Sequence, residues 1–391
     1  MLRRPDVLIL IDHYLPGYKS GGPMRTTANT VEWLGDAIQF RILTRDRDYR
    51  ETTPYPELQT GVWHRVGKAL VRYLAPEELT LFSLLRILRA TPHDLIYLNS
   101  TFSTRTVVVL LFARLGLLHR PIVLASRGSL SDGALGLKPV KKRIYLTAAR
   151  LLGLYDRVHW HSTSDEETRD IQSVFGGRRQ PRIVQIPNLP MPITDEVSRT
   201  RTKEPGSLRI VMLSRIARMK NLELMAAALD GVRGAVQLDF WGPIEDPAYW
   251  EDNLKRFHRL SPNVQVHHCG SVAPDQVSAI LSEYDLFFMP SLSENFGHAI
   301  LEALCAGCPV LISDRTPWNA VNERGAGWAV ALDRPDQFRQ IIQHLIDADH
   351  AAWQAYSQRA RQFALDYLAS SRAVDETRRF LIETAAQATS S

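Results

Sequence analysis

Short runs of consecutive apolar residues alternate along most of the chain with longer stretches in which apolar residues return every three or four positions. In the first half the short runs are Asp6–Asp12, Ile38–Thr44, Leu95–Asn99, Ile122–Ser126, Val158–Ser162 and Ile183–Pro187. In the second half they are Leu208–Ser214, Val236–Gly242, Val264–Gly270, Leu286–Pro290, Val310–Ser313 and Trp328–Leu332. They are rich in Val, Ile and Leu and do not alternate with polar residues. That pattern predicts strands covered on both faces, as in parallel sheets flanked by helices. Helical spacing is evident over Glu77–Ala90, Gln276–Glu283 and Phe338–Ala348. The β–α alternation predicts doubly wound α/β domains.

The alternation breaks once, from Pro187-Asn188-Leu189-Pro190 to Pro205-Gly206, a polar stretch with three prolines at its start and no apolar period. A fresh strand begins at Leu208. The expected organisation is a first Rossmann-like domain over 1–192, a linker over 193–206 and a second Rossmann-like domain over 207–370. A terminal helix over 371–391 is expected to pack back on the first domain. Two such domains would face each other across a cleft, with the chemistry in loops that follow strands.

A length of 391 residues suits two such domains, and 45% hydrophobic with 23% charged residues is the composition of a globular protein. The net charge of +5 admits an anionic ligand, an anionic membrane surface or nucleic acid without choosing among them. The three cysteines, Cys269, Cys305 and Cys308, give no disulfide framework. The Cys305-x-x-Cys308 spacing has no second Cys or His pair at zinc spacing and is read as packing thiols. The start of the chain lacks the long apolar core of a secretion signal. The longest apolar run, near Val107–Leu118, is broken by Arg114 and is shorter than a membrane span. The expected location is cytoplasmic.

Candidate chemistry lies in five loops. After the first strand, Gly21 and Gly22 let backbone approach a ligand just before a helix that opens near Pro23, where an anion is favoured. After Ile122–Ser126, Arg127 stands beside Gly128 at a strand's carboxyl end, a good anion contact. His161-Ser162-Thr163-Ser164 ends a strand and starts a helix. Ser164 with Glu167 reads as a capping box, and His161 is either a cleft residue or a satisfied core histidine. After Leu208–Ser214 come Arg215 and Lys220, two cations that can straddle a diphosphate. Lys220 at a helix N-terminus is in conflict with the helix dipole unless an anion is present. The richest stretch is Ser291-Leu292-Ser293-Glu294-Asn295-Phe296-Gly297-His298 with Glu302 beyond it. Here a loop and a helix N-terminus offer N–H groups, and carboxylates suit sugar hydroxyls. Asp46-Arg47-Asp48 lies in a polar loop and is not read as a metal site.

These motifs resemble glycosyltransferase family 4, retaining enzymes of GT-B fold. The resemblance rests on Glu294-x7-Glu302 followed by Gly307-Cys308-Pro309-Val310, on Ser214-Arg215 with Lys220-Asn221, on Gly21-Gly22, and on Ile186-Pro187-Asn188. It covers nearly the whole chain and is more specific in the second half. It implies that Arg215 and Lys220 bind the donor diphosphate as leaving group and that Glu294 contacts the transferred sugar. Glu302 would hold the ribose, Gly21 and Gly22 would approach the phosphate, and Asn295, Phe296, Gly297 and His298 would add loop contacts. Many relatives carry a histidine where this chain has Ser126-Arg127-Gly128-Ser129, so the resemblance assigns no fixed role to Arg127, counted here among the donor contacts, or to His161. It further implies a hexose-type donor, no metal or other cofactor, and departure of the leaving group on the face that the acceptor attacks.

The acceptor would be a glycan. A cationic, part-apolar helix over 138–152 suggests that it is lipid-linked, with peripheral contact to an anionic inner membrane face, as in bacterial surface polysaccharide or lipopolysaccharide assembly. Two other classes compete. A nucleotide-sugar epimerase of the same shape would need catalytic acids and a histidine in the first domain. A non-catalytic membrane or nucleic-acid binder would use the basic charge, but no nucleic-acid motif is present and the basic residues are dispersed.

Overall fold

The computed structural model describes residues 3–131, 135–136, 139–177, 180–192 and 202–387. Most of the expected linker, part of the loop after Gly128, Lys138 and the last four residues lie outside them. The chain divides into two compact units, Met1–Pro192 with Arg372–Ser391, and Ile193–Ser371.

The first unit holds an eight-stranded sheet: β1 (Asp6–Leu10), β2 (Gln39–Arg45), β3 (Trp63–Val66), β4 (Ala69–Leu74), β5 (Leu95–Asn99), β6 (Ile122–Ala125), β7 (Val158–Ser162) and β8 (Arg182–Gln185). Their order is β3-β4-β2-β1-β5-β6-β7-β8. All neighbours are parallel except β3 and β4, which form an antiparallel hairpin at the edge. The strand interior explains the unbroken apolar runs. Leu8 and Leu10 join one buried cluster while Val7 and Ile9 join another on the opposite face. The terminal helix Ala373–Ala386 belongs to this unit and adds Phe380, Leu381 and Ala385 to the second cluster.

The second unit is a six-stranded, wholly parallel sheet: β9 (Ser207–Leu213), β10 (Ala235–Trp241), β11 (Val264–Gly270), β12 (Leu286–Met289), β13 (Val310–Ser313) and β14 (Gly327–Val330). The order β11-β10-β9-β12-β13-β14 puts β10 on one side of β9 and β12 on the other. Strand order therefore reverses between β9 and β12, and in the first unit between β1 and β5. Ligands of doubly wound sheets bind in the crevice that opens at the carboxyl ends of such a strand pair. All twelve strands expected from the apolar runs are present, with ends shifted by one or two residues. The β3–β4 hairpin was not expected.

Candidate active site

In the second unit β9 and β12 are hydrogen-bonded neighbours, with Ile210 opposite Leu286 and Val211 opposite Phe287. The loops leaving their carboxyl ends therefore emerge side by side. They are tied together where Leu292 N donates to the Met219 carbonyl at 2.8 Å. This brings Lys220 against Glu294 in a short ion pair whose side chains are only 16% and 14% exposed. Ser291 Oγ donates to the same Glu294 oxygen at 3.0 Å. Glu294 N donates to the Arg315 carbonyl at 3.0 Å, which adds the loop after β13 to the cluster. Lys220 does not open the helix, as the sequence suggested. It ends a 3-10 turn, and Asn221, left-handed at φ 55°, separates it from the helix Leu222–Leu229.

Arg215 is paired as well. Its Nη1 lies 2.5 Å from Glu245 Oε2, on the loop after β10. The two loops approach closely because Gly242 stands between them at φ 139°. A Cβ there would lie 2.0 Å from the Ser214 carbonyl oxygen, so no other residue fits.

Gly297, left-handed at φ 76°, caps the helix His298–Cys305 without a side-chain acceptor for the first N–H groups. A helix start without a side-chain cap favours an anion. Asn295 and His298 are half-buried around this turn. Glu302 lies one turn into the helix, also half-buried. Phe296 corrects an expectation. Its ring is buried, 5% exposed, edge-on to Trp318 at 5.5 Å, and its carbonyl accepts a short hydrogen bond from Trp318 Nε1. It anchors the loop to the core instead of lining a pocket.

In the first unit, Gly21 takes φ 80° immediately before the helix Gly22–Leu34, whose N-terminus has neither a side-chain cap nor an acid in its first turn. A Cβ on Gly22 would meet nothing within 4 Å, so that position is open. The loop leading to the glycines is held by Asp48, whose Oδ2 accepts from Tyr18 N at 3.0 Å and Lys19 N at 3.2 Å. No pattern in the chain pointed to this role of Asp48.

Arg127 is left-handed at φ 53°, and so is Ser100 at φ 72° at the end of the neighbouring strand β5. Left-handed backbone at non-glycine residues is strained and concentrates at functional sites. The Arg127 guanidinium donates to three neutral oxygens: Asn99 Oδ1 at 3.2 Å, Tyr97 Oη at 3.2 Å and, over a short contact, Asn188 Oδ1.

His161 is 4% exposed and lies beneath Phe380 of the terminal helix, ring centroids 5.9 Å apart. Its Nε2 donates to the Ile186 carbonyl at 3.0 Å, so Nδ1 accepts the Tyr97 hydroxyl proton at 2.7 Å. The ring is neutral and both nitrogens are used. Burial, reinforced by the charge of Arg127, pushes its pKa down to about 4. It is the satisfied core histidine and not a cleft residue, and it offers no ring nitrogen for the acid–base chemistry of an epimerase.

Glu167 also departs from expectation. Ser164 Oγ does accept from Glu167 N at 3.2 Å, but the Glu167 carboxylate does not return to Ser164. It is buried. One oxygen accepts from Gly128 N at 2.8 Å and, over a short contact, from Ser126 Oγ; the other accepts from Thr163 N and Oγ1, both at 2.7 Å. Burial alone would raise its pKa. The hydrogen bonds from Ser126, Gly128 and Thr163 and the charge of Arg127 outweigh it and hold the carboxyl below its ordinary value. Glu167 thus fixes the backbone on either side of Arg127.

The helix Pro139–Leu151 exposes Val140 (69%), Ile144 (65%) and Leu151 (84%). Helical spacing puts these three on one face, with Lys141, Arg143 and Arg150 to its sides. Lys142 points elsewhere, over the Phe102 ring at 5.1 Å. Among the described residues no helix is long and apolar enough to cross a membrane, and no group of three His, Cys, Asp or Glu side chains could hold a metal ion.

Two family models match this chain, the glycosyl transferase 4-like domain over residues 21–189 and glycosyl transferases group 1 over residues 194–363. Solved structures with the same fold include HepE of Anabaena in complex with UDP and glucose, 16% identical, TM-score 0.70, covering 98% of this chain and 100% of that one. Another is the sucrose-phosphate synthase of Thermosynechococcus elongatus, 17% identical, TM-score 0.72, with the same coverage of 98% and 100%. A third is WaaG, a glycosyltransferase of lipopolysaccharide biosynthesis, 14% identical, TM-score 0.66, covering 95% and 98%. The sulfoquinovosyl transferase SQD2 of Arabidopsis thaliana is 34% identical over 108 residues, which are 28% of this chain and 20% of that protein's length. The chain belongs to the GT4-type glycosyltransferases, and its two α/β units are those of the GT-B fold.

Proposed function

We propose that the protein is a retaining enzyme that moves a hexose-type sugar from a nucleoside-diphosphate sugar to a glycan acceptor. The observation that carries this reading is the cluster at the β9/β12 strand reversal, where Lys220 and Glu294 meet beside a helix N-terminus without a side-chain cap. The UDP held by HepE supports a nucleoside diphosphate as the donor's leaving group. In this reading the diphosphate takes Lys220 from Glu294 and Arg215 from Glu245, and the N–H groups at 297–299 face its oxygens. Glu294, released, accepts from hydroxyls of the transferred sugar, and Glu302 holds the ribose. Asn295 and His298 shape the loop around the sugar, and Gly21 and Gly22 admit the β-phosphate.

The bond from the anomeric carbon to the phosphate oxygen breaks with its electron pair on the phosphate, and the two cations stabilise that charge. The acceptor hydroxyl attacks the same face, and its proton passes to the departing oxygen. No metal takes part, so turnover should survive chelation. A covalent sugar trapped on Glu294 would sink this sequence of events.

The acceptor we infer is lipid-linked, in polysaccharide or lipopolysaccharide assembly, with the helix Pro139–Leu151 resting on an anionic membrane surface. Support comes from its exposed apolar stripe between cations. Reversing Lys141, Arg143 and Arg150 to Glu should release the protein from anionic vesicles in a sedimentation assay, at about 1 kcal/mol per charge removed. Unchanged sedimentation would refute the contact.

The donor is tested by thermal shift of the whole chain against UDP, GDP, ADP, dTDP and their sugar conjugates. One nucleotide should stabilise the protein selectively, and Arg215→Ala or Lys220→Ala should abolish the shift. A folded protein that responds to none of them refutes the reading.

A further inference from the structure

Arg127 is the centre of a construction that the donor site does not require. Three of its five N–H groups point at three neutral oxygens, and two remain. Among the described residues no carboxylate lies within ion-pair distance of its guanidinium, and an acid acting on this network, Glu167, spends its two oxygens on Gly128, Ser126 and Thr163. The guanidinium is therefore held in place by direct contacts to dipoles, and the buried Glu167 carboxylate acts on its charge only through space.

Beside it stands a second unused donor. Asn99 is 5% exposed, its Oδ1 accepts from Arg127 Nε, and Nδ2 on the same amide is buried with no hydrogen-bond partner. A buried donor left unsatisfied is destabilising. Turning the amide over would set NH2 against the guanidinium, so the orphan cannot be relieved that way. Both residues sit at the carboxyl ends of adjacent strands, Asn99 opposite Ala125, and each is followed or formed by a left-handed residue, Ser100 and Arg127. The glycine-rich phosphate loop and the diphosphate cations are different elements.

We propose that Arg127 and Asn99 form an anion subsite in the first unit, shaped for one carboxylate or phosphate group carried by a sugar substrate. The guanidinium supplies charge and two N–H groups, and Asn99 Nδ2 supplies a third donor. Asn188 and Tyr97 hold the guanidinium in position, and Tyr97 is itself fixed by the neutral His161. The assignment of the anion to a sugar substrate rests on the glycosyltransferase reading; the site itself does not.

The discriminating variant is Asn99→Asp. It keeps an oxygen for Arg127 Nε, removes the orphan donor and puts a carboxylate where the ligand's would lie. The full chain is followed by thermal shift at constant ionic strength in an Arg215→Ala background, with inorganic phosphate, glucuronate and, as the neutral control, glucose. Phosphate or glucuronate should raise Tm saturably by about 3 °C while glucose does not. Asn99→Asp should be more stable without anion and bind the anion at least tenfold more weakly. A response to phosphate alone marks a phosphorylated substrate, and one to glucuronate alone marks a uronic acid.

No response to either anion, or undiminished binding in Asn99→Asp, overturns the proposal. Undiminished binding would place the anion away from Arg127, because a carboxylate at position 99 pairs with the guanidinium and competes with any anion bound there. Nucleotide binding is read separately with Arg215 intact. Its absence alongside an Asn99-dependent phosphate response would refute the donor reading and leave the subsite standing.

Discussion

In the second unit each cation offered by the loops lies against a carboxylate, Lys220 against Glu294 and Arg215 against Glu245. In the first unit Arg127 lies against two amide oxygens and a phenol. The two arrangements have different physics. A carboxylate-paired cation must exchange one anion for another when a ligand arrives, so the net gain is modest and depends on geometry that only the right ligand supplies. The exchange would also free a carboxylate, which for Glu294 is the proposed acceptor for sugar hydroxyls. A cation held by neutral dipoles is preorganised and loses nothing when an anion docks. In the proposed reading the second unit exchanges carboxylates for its ligand, whereas the first offers a cation already held by neutral groups.

The comparison is tested most strongly at Lys220. In the proposed reading, removing the cation takes away diphosphate stabilisation and leaves Glu294, whose side chain is 14% exposed, without its counter-charge. With the donor identified, Lys220→Ala should lower kcat/KM by about 10²- to 10³-fold, the usual effect of deleting one preorganised charge-stabilising group. Steady-state kinetics that show less than about a threefold loss would mean that the pair is structural.

In the first unit the largest effect is expected on stability. Glu167→Ala removes the acceptor of four hydrogen bonds and leaves Gly128 N and Thr163 N without their buried partner. The cost should be about 3 kcal/mol in urea unfolding. A change below about 1 kcal/mol would show that the loop around Arg127 is not held from below.

His161 provides a pH test of the same support. It is neutral in the folded chain, with its pKa lowered from 6.5 to about 4. Between those values the unfolded chain binds the proton and the folded chain does not, so acid favours unfolding. The contribution is fully present above pH 6.5 and is lost as the pH falls towards 4, by about 3 kcal/mol in all. His161→Gln should flatten that slope. An unchanged slope would mean that the imidazole is not held neutral by its partners.

How much of this was legible in the sequence depends on whether the signal was local. The central parallel strands were, as in Asp6–Leu10 and Leu95–Asn99, because a strand covered on both faces is continuously apolar. The hairpin of Trp63–Val66 and Ala69–Leu74 was missed because an edge pair alternates instead, as in Ala69, Val71 and Tyr73 buried between less buried neighbours. Gly67 at φ 55°, followed by Lys68, was the available turn signal. Arg215, Lys220, Glu294 and the helix at His298 were legible because motif and spacing placed them in loops after strands. Their partners were not. Nothing near Glu245 or Asp48 in the chain points to Arg215 or to Tyr18, and those contacts exist only once strand order sets two loops side by side. Glu167 is a case between the two. Its position three residues after Ser164 correctly marked a helix start, yet its carboxylate serves a loop 39 residues away in the sequence.

The smallest effect, and the one that most sharpens the contrast, is expected at Glu245. Its pair with Arg215 is 37% and 27% exposed, and a pair this accessible is worth about 0.2–1 kcal/mol after solvent screening. Glu245→Gln keeps an oxygen for Arg215 to donate to and removes only the competing charge. If the carboxylate serves as a stand-in for the phosphate, the variant should bind the nucleoside diphosphate about two- to fivefold more tightly at low salt. The gain should fade towards 1 M salt, where charges about 3 Å apart are already screened. If Glu245 instead aims Arg215 at the ligand, the same variant should bind no better at any salt, and Glu245→Ala, which also removes the oxygen, should bind worse. Titration calorimetry of both variants at two salt concentrations separates the two. The second outcome would make Arg215 a positioned cation like Arg127 and leave Lys220 with Glu294 as the one exchanging pair in the second unit's site.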